Sequence, residues 1–117
     1  MELKHGLISC DSHAQEHPAV WTSRMSKSEW GDRIPHLAKQ PDGRELWVID
    51  GKVIHKPLLA PMRDKLIEPK TWGEVPASTY EPKARLEAMD EDGVELQVLY
   101  PWFSGVGGEV LGAIGDP

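Results

Sequence analysis

The sequence predicts an α/β fold built around a parallel sheet, and three observations predict it. A short apolar run, Gly6-Leu7-Ile8-Ser9-Cys10, ends in Asp11-Ser12-His13 and reads as a buried strand over residues 6–13. A helical stretch at residues 82–91 passes almost directly into a second apolar strand ending at Tyr100-Pro101, so that 82–101 is one βα unit in reverse order, helix then strand. Strand, helix and strand together are the grammar of a βαβ crossover, whose two strands run parallel. Between them, Asp50-Gly51 joins two β-prone runs over residues 45–56, a hairpin signal inserted into the unit.

The elements follow in order. His17-Pro18-Ala19-Val20-Trp21 reads as a turn opening a short helix, with Pro18 suited to a first helical position. Ser26-Lys27-Ser28-Glu29 has capping-box spacing and predicts a second short helix from Lys27 to Asp32, ending before Pro35. Glu45-Leu46-Trp47-Val48-Ile49 and Lys52-Val53-Ile54-His55-Lys56 flank a turn whose Asp-Gly pair tolerates the positive φ of type I′. From Pro57 to Pro82 the prolines at 57, 61, 69, 76 and 82 interrupt every periodic pattern, which predicts a long, mostly irregular segment. Pro82 then suits a first helical turn, Leu86 and Met89 share a face, and Gly93 is the residue expected just past the helix end. Asp90, Glu91 and Asp92 place negative charge at the negative end of that helix, a local conflict with its dipole. After Pro101, Gly105-Val106-Gly107-Gly108 reads as a loop and Glu109 to Ile114 as the opening of another helix.

Composition limits what such a chain does. At 117 residues there is room for one small domain, and 39% hydrophobic content with a mean hydropathy of -0.45 implies a modest core. A net charge of -6 without any Lys/Arg run disfavours nucleic acid or an anionic membrane surface as partner. The single cysteine excludes an internal disulfide framework and makes a reducing cytoplasm the natural setting. Leu7-Ile8-Ser9-Cys10 mimics a lipoprotein cleavage box, yet the six residues before it are too short and too polar to serve as its apolar stretch. Nothing approaches the roughly 20 apolar residues of a membrane span.

The chemistry gathers at the end of the first strand. Side chains alternate faces along a strand, so Asp11 and His13 point the same way and are expected to converge, close enough to share one metal at about 2.0–2.2 Å from each. On spacing alone the commoner reading is structural, with Asp11 capping a turn and His13 hydrogen-bonded as a polar residue. Their place at the C-terminal end of a parallel strand, where functional residues of α/β barrels cluster, favours ligation. Glu16 and His17 follow within reach and are further candidates, as ligands or, for Glu16, as an acid/base group. Cys10, between the two faces, is expected to point away toward covering helices as a buried, inert thiol. His5, His36 and His55 stand isolated and read as surface or loop residues. Trp102-Phe103 either floors an aromatic-substrate pocket or simply packs. Gly105-Val106-Gly107-Gly108 lacks the G-x-G-x-x-G spacing of a phosphate cradle.

Taken together, Ile8-Ser9-Cys10-Asp11-Ser12-His13 with Glu16 and Trp21, the Trp47 to His55 hairpin, and the block from Ala84 through Asp90-Glu91-Asp92-Gly93-Val94 to Tyr100-Pro101 resemble the N-terminal portion of the amidohydrolase-related family. That family comprises metal-dependent hydrolases and decarboxylases of the aminocarboxymuconate semialdehyde decarboxylase type, on a (β/α)8 TIM-type barrel. The resemblance implies an N-terminal barrel fragment over residues 1–117, with about two parallel strands, an inserted hairpin and a long irregular loop. It implies a divalent metal, Zn or Mn, with Asp11 and His13 as first-strand ligands, and a small-molecule substrate, aromatic or carboxylated. Family members end that strand in His-x-His or Glu-x-His, so Asp11 keeps an oxygen ligand while shortening its reach. Their remaining ligands, a His and an Asp, come from strands beyond this sequence, and a whole barrel takes about 250 residues. The catalytic residues therefore lie outside the chain, which is expected to need the remainder of the barrel or an oligomeric partner. The competing expectation is a non-catalytic α/β module whose open sheet edge and exposed apolar surface bind another chain.

Overall fold

The computed structural model describes residues 6–54, 58, 60–62, 65–105 and 109–112. The chain divides into two compact units, one formed by Met1–Glu16 with Pro76–Gly112 and the other by His17–Val75.

The first unit is built on strand β1 (Leu7–Ala14), which pairs in parallel with the late strand Val94–Pro101. The sequence expectation of a parallel pair is met. Helix Pro82–Asp92 directly precedes the late strand, and its limits follow from local chemistry. Pro82 sits in the first turn, where its missing N–H costs nothing, and Gly93 ends the helix at φ 68°, the left-handed conformation that only glycine adopts freely. The Gly93 N–H returns to the carbonyls of Asp90 and Met89, closing the last turn beside the three acidic residues.

The register of the pair is irregular in two places. Leu7 faces Val94 and Ile8 faces Leu96, so the late strand gains a residue at Glu95; Ser9 faces Gln97 and Ser12 faces Leu99, so β1 gains one at Cys10-Asp11. The second irregularity is a β-bulge, two residues opposite one, at the centre of the motif. Its effect is visible in the side chains. Residues three apart in a regular strand face opposite ways, yet Ser9 Oγ and Ser12 Oγ lie 2.8 Å apart, because the extra residue reverses the alternation between them. Cys10 corrects the expectation of a buried thiol: it is exposed. The bulge removes it from the regular alternation, and Leu7 and Ile8 just before it are exposed as well.

The second unit follows its own local signals. Helices α1 (Ala19–Thr22) and α2 (Lys27–Trp30) are each a single turn, and a 3₁₀ turn, Gly31–Arg33, extends the latter to the expected limit before Pro35. The capping box expected at Ser26 does not form: the Ser26 hydroxyl pairs with the Ser28 hydroxyl at 2.9 Å, and no side chain caps the helix. Strands β2 (His36–Lys39), β3 (Glu45–Ile49) and β4 (Lys52–Ile54) make an antiparallel sheet in that order. The hairpin was legible, with Asp50 at φ 51° and Gly51 at φ 71° as a type I′ turn requires. Strand β2 was not anticipated. The turn between β2 and β3 is held by the Asp42 carboxylate, which accepts from the Arg44 backbone N–H at 3.1 Å and from its Nε at 2.7 Å; these contacts hold the Asp42 carboxyl below the usual range. Leu46, Trp47, Val48 and Ile49 of β3 are all buried, with Trp47 1% exposed, and Ile34, Leu58 and Val75 are buried with them, which makes this strand the centre of the unit's core.

The expectation of irregular chain from Pro57 to Pro82 is corrected in part. Strands β5 (Ala60–Met62) and β6 (Lys65–Ile67) pair antiparallel, and single 3₁₀ turns follow at Trp72–Glu74 and Ala77–Thr79. None exceeds three residues, as the spacing of prolines allows. Numbered in chain order, the helix Pro82–Asp92 is α3, the strand Val94–Pro101 is β7, and a last turn, Glu109–Gly112, is α4. His5, His55, Lys56, residues 106–108 and 113–117, on which further expectations fell, lie outside the described residues.

Replacing Gly93 by alanine leaves open space for the new methyl but forces a side chain into the left-handed region. The expected loss is about 1–2 kcal/mol in urea unfolding. An unchanged midpoint would show that the positive φ is not maintained in solution.

Candidate metal centre

Because β1 and β7 are parallel, their C-terminal ends lie together, and the candidate residues sit there. After the bulge, Asp11 and His13 share a face, with Asp11 Oδ1 3.6 Å from His13 Nε2. The sequence-level expectation that the two side chains converge is met. Two donors that each hold a metal at about 2.1 Å in tetrahedral geometry are separated by about 3.4 Å, so the pair has the spacing of two ligands and not yet of a site. Among the described residues no group of three or more His, Cys, Asp and Glu side chains converges to hold an ion. The Asp11 side chain is 87% exposed and that of His13 39%, so the carboxylate reaches into solvent while the imidazole is partly sheltered.

What shelters the imidazole is aromatic. Tyr100 lies opposite His13 in the ladder, with ring centroids 6.2 Å apart, and Trp102 meets the imidazole at 90° and 5.6 Å. Trp102, expected either to floor a pocket or to pack, touches the candidate ligand His13. Phe103 next to it is fully buried, at 0% exposure.

The backbone around His13 is tied down from three sides. The His13 carbonyl accepts from Arg85 Nη2 at 2.8 Å, the Ala14 carbonyl from the Trp102 N–H at 2.9 Å, and the Gln15 N–H donates to the Thr79 carbonyl at 2.9 Å. Arg85 also donates to Thr79 O and to Gln97 Oε1, so one guanidinium joins β1, the 3₁₀ turn before α3, and β7. Burial pushes its pKa below the ordinary arginine value, as the loss of water around a cation dictates. Sequence reading missed Arg85. It lies inside the helical block, and nothing local points to acceptors at residue 13.

Glu16 and His17, the further candidates, are both engaged. Glu16 Oε2 accepts from the Phe103 N–H, and Oε1 from the N–H and hydroxyl of Ser104, each at 2.8 Å. His17 belongs to the other compact unit; its Nδ1 accepts from the Ala19 N–H at 3.1 Å and its ring stands at 84° to Trp72. Of the isolated histidines, His36 corrects the surface-or-loop expectation: it opens strand β2, is half-buried, and bonds through Nδ1 to the Ile34 carbonyl at 2.8 Å.

Comparison with known proteins gives one kind of likeness. No family model matches the chain, and no curated protein matches it. Among solved structures the chain is similar to an amidohydrolase from Mycobacterium avium subsp. paratuberculosis K-10, with a TM-score of 0.61 and 20% sequence identity over 88% of this chain and 32% of that one. The chain thus spans about a third of the neighbour's length, and the likeness is one of fold.

Arg85→Met keeps the aliphatic stem and removes the donors to His13, Thr79 and Gln97. Losing one cation that donates three hydrogen bonds to exposed or part-buried acceptors is expected to cost about 1–2 kcal/mol in urea unfolding. A loss below a few tenths would mean that water replaces the guanidinium freely.

Proposed function

We propose that this chain is the N-terminal part of a metal-dependent amidohydrolase-like enzyme, in which Asp11 and His13 are two ligands of a Zn or Mn ion acting on a small substrate. The observation that carries the reading is the 3.6 Å approach of Asp11 Oδ1 to His13 Nε2 at the C-terminal end of a parallel strand. The fold likeness to an amidohydrolase supports it. When bound, such an ion supplies an activated water for C–N or ester hydrolysis, or orients a carboxylate for decarboxylation. The chain's own residues do the rest of the work at this end of the site: Asp11 offers charge, Arg85 fixes the His13 backbone, and Tyr100 and Trp102 limit water around the imidazole.

Incompleteness is part of the proposal. Among the described residues β1 and β7 pair only with each other, so each has an open edge. Leu7, at 62% exposure, Ile8, Leu96, Val98 and Leu99 leave apolar surface on both strands, and Leu86 of α3 is 60% exposed. Strands of a parallel sheet are normally covered on both faces. The exposed surface and the neighbour's threefold greater length both favour further strands, or a partner, that complete the barrel and bring the missing ligands. The same open edges support the second reading, a non-catalytic module that binds another chain.

Residues 1–117 alone are expected to bind Zn or Mn weakly, one ion per chain, and to lose at least tenfold in affinity on Asp11→Ala or His13→Ala in a chelator-competition titration. They are expected to show no hydrolase or decarboxylase turnover until the remaining strands are supplied. Binding unaffected by either substitution would remove the metal reading, and turnover by residues 1–117 would remove the incompleteness.

A further inference from the structure

The Glu16 carboxylate is the most heavily engaged acidic group at this end of the sheet. It takes three donors, the N–H of Phe103 and both the N–H and Oγ–H of Ser104, all at 2.8 Å. An ionised carboxylate has about four acceptor positions, so most of its capacity is spent on the turn that follows β7. The donors lie 87 and 88 residues away in sequence, which makes this a long-range tie between the ends of two strands and no local brace. The turn it holds carries Trp102 at its start, and Trp102 is the ring that meets His13 at 90°. A second tie, from the Trp102 N–H to the Ala14 carbonyl, fixes the other side of the tryptophan.

From this chain of contacts we propose that Glu16 is a positioning residue and not a metal ligand: by holding the 102–104 turn, it sets the Trp102 ring against His13 and so fixes the plane in which the imidazole presents Nε2 toward Asp11. The inference rests on the Asp11–His13 reading above. A ring on a partly exposed strand end is otherwise free to rotate about its terminal torsion, which is broad. An edge-to-face contact with a held aromatic ring restricts it. Ligand orientation by neighbours that do not touch the ion changes metal affinity by about 10–100-fold in other sites. The geometry also states why the negative charge matters. Glutamine offers one carbonyl oxygen, so with that oxygen on Ser104 its amide group points donors at the Phe103 N–H.

The test uses the full chain with Glu16→Gln, Trp102→Leu and the double variant, and two readouts. The first is the ring-current displacement of the His13 ring protons in metal-free protein, assigned through Trp102→Leu; the second is zinc affinity by chelator competition. Glu16→Gln is expected to diminish the displacement and to weaken zinc about tenfold, with the double variant no weaker than Trp102→Leu alone. Ser104→Ala removes one of the three donors while keeping the carboxylate. It should move both readouts the same way by less, which preserves the test if Glu16→Gln does not fold. An unaltered ring-current displacement in the Glu16→Gln and Ser104→Ala proteins would overturn the inference, as would effects of Glu16→Gln and Trp102→Leu on zinc that simply add. If the unaltered chain binds no zinc, the metal reading falls, and the ring-current readout alone decides the role of Glu16.

Discussion

Everything at the candidate site depends on the parallel register of β1 with β7. Parallel pairing puts the two C-terminal ends side by side, and only then do Tyr100 and Trp102 reach His13, the Trp102 N–H reach Ala14, and Glu16 reach Phe103 and Ser104. An antiparallel partner would deliver its first residues to that end instead. Arg85 secures the register from the helix side, because a guanidinium with donors in a fixed fork satisfies three acceptors on three elements at once.

Within that register the bulge at Cys10-Asp11 gives the motif its character. A bulge bends its strand and re-aims the side chains beyond it, and such insertions are concentrated at sheet edges and beside active sites. Here it divides β1 into two stretches of opposite parity. Ser9 and Ser12 close over one face, while Asp11 and His13 take the other with their donor atoms 3.6 Å apart. Cys10, at the bulge, stands exposed.

The parts legible in the sequence are those whose causes are local. Pro82 and Gly93 delimit α3, and Asp50-Gly51 turns the hairpin, because each position asks for a backbone conformation that one residue type satisfies. The convergence of Asp11 and His13 was legible from period two, although the bulge beside them was not, since a bulge is a property of two strands in register. Strand β2 was missed for a related reason: His36–Lys39 has no alternation of its own, and its extended state comes from pairing with β3. The turn residues Pro41-Asp42-Gly43 before β3 were the available signal. The partners of Glu16, and the His13 carbonyl that Arg85 reaches, could not be read, because nothing near residues 16 or 85 encodes groups more than 70 residues away.

The distance along the chain between the paired strands has a kinetic meaning. Gly6 and Glu95, joined at the start of the ladder, are 89 residues apart, whereas β3 and β4 are joined through a two-residue turn. Loop-closure entropy must be overcome before a distant pairing returns any energy, and local hairpins escape most of that penalty. The antiparallel sheet of the second unit is therefore the part of this chain suited to early assembly. Among the described residues the parallel pair closes the longest loop, so the strand end that carries Asp11 and His13 is suited to late assembly and open to competing strand partners on the way.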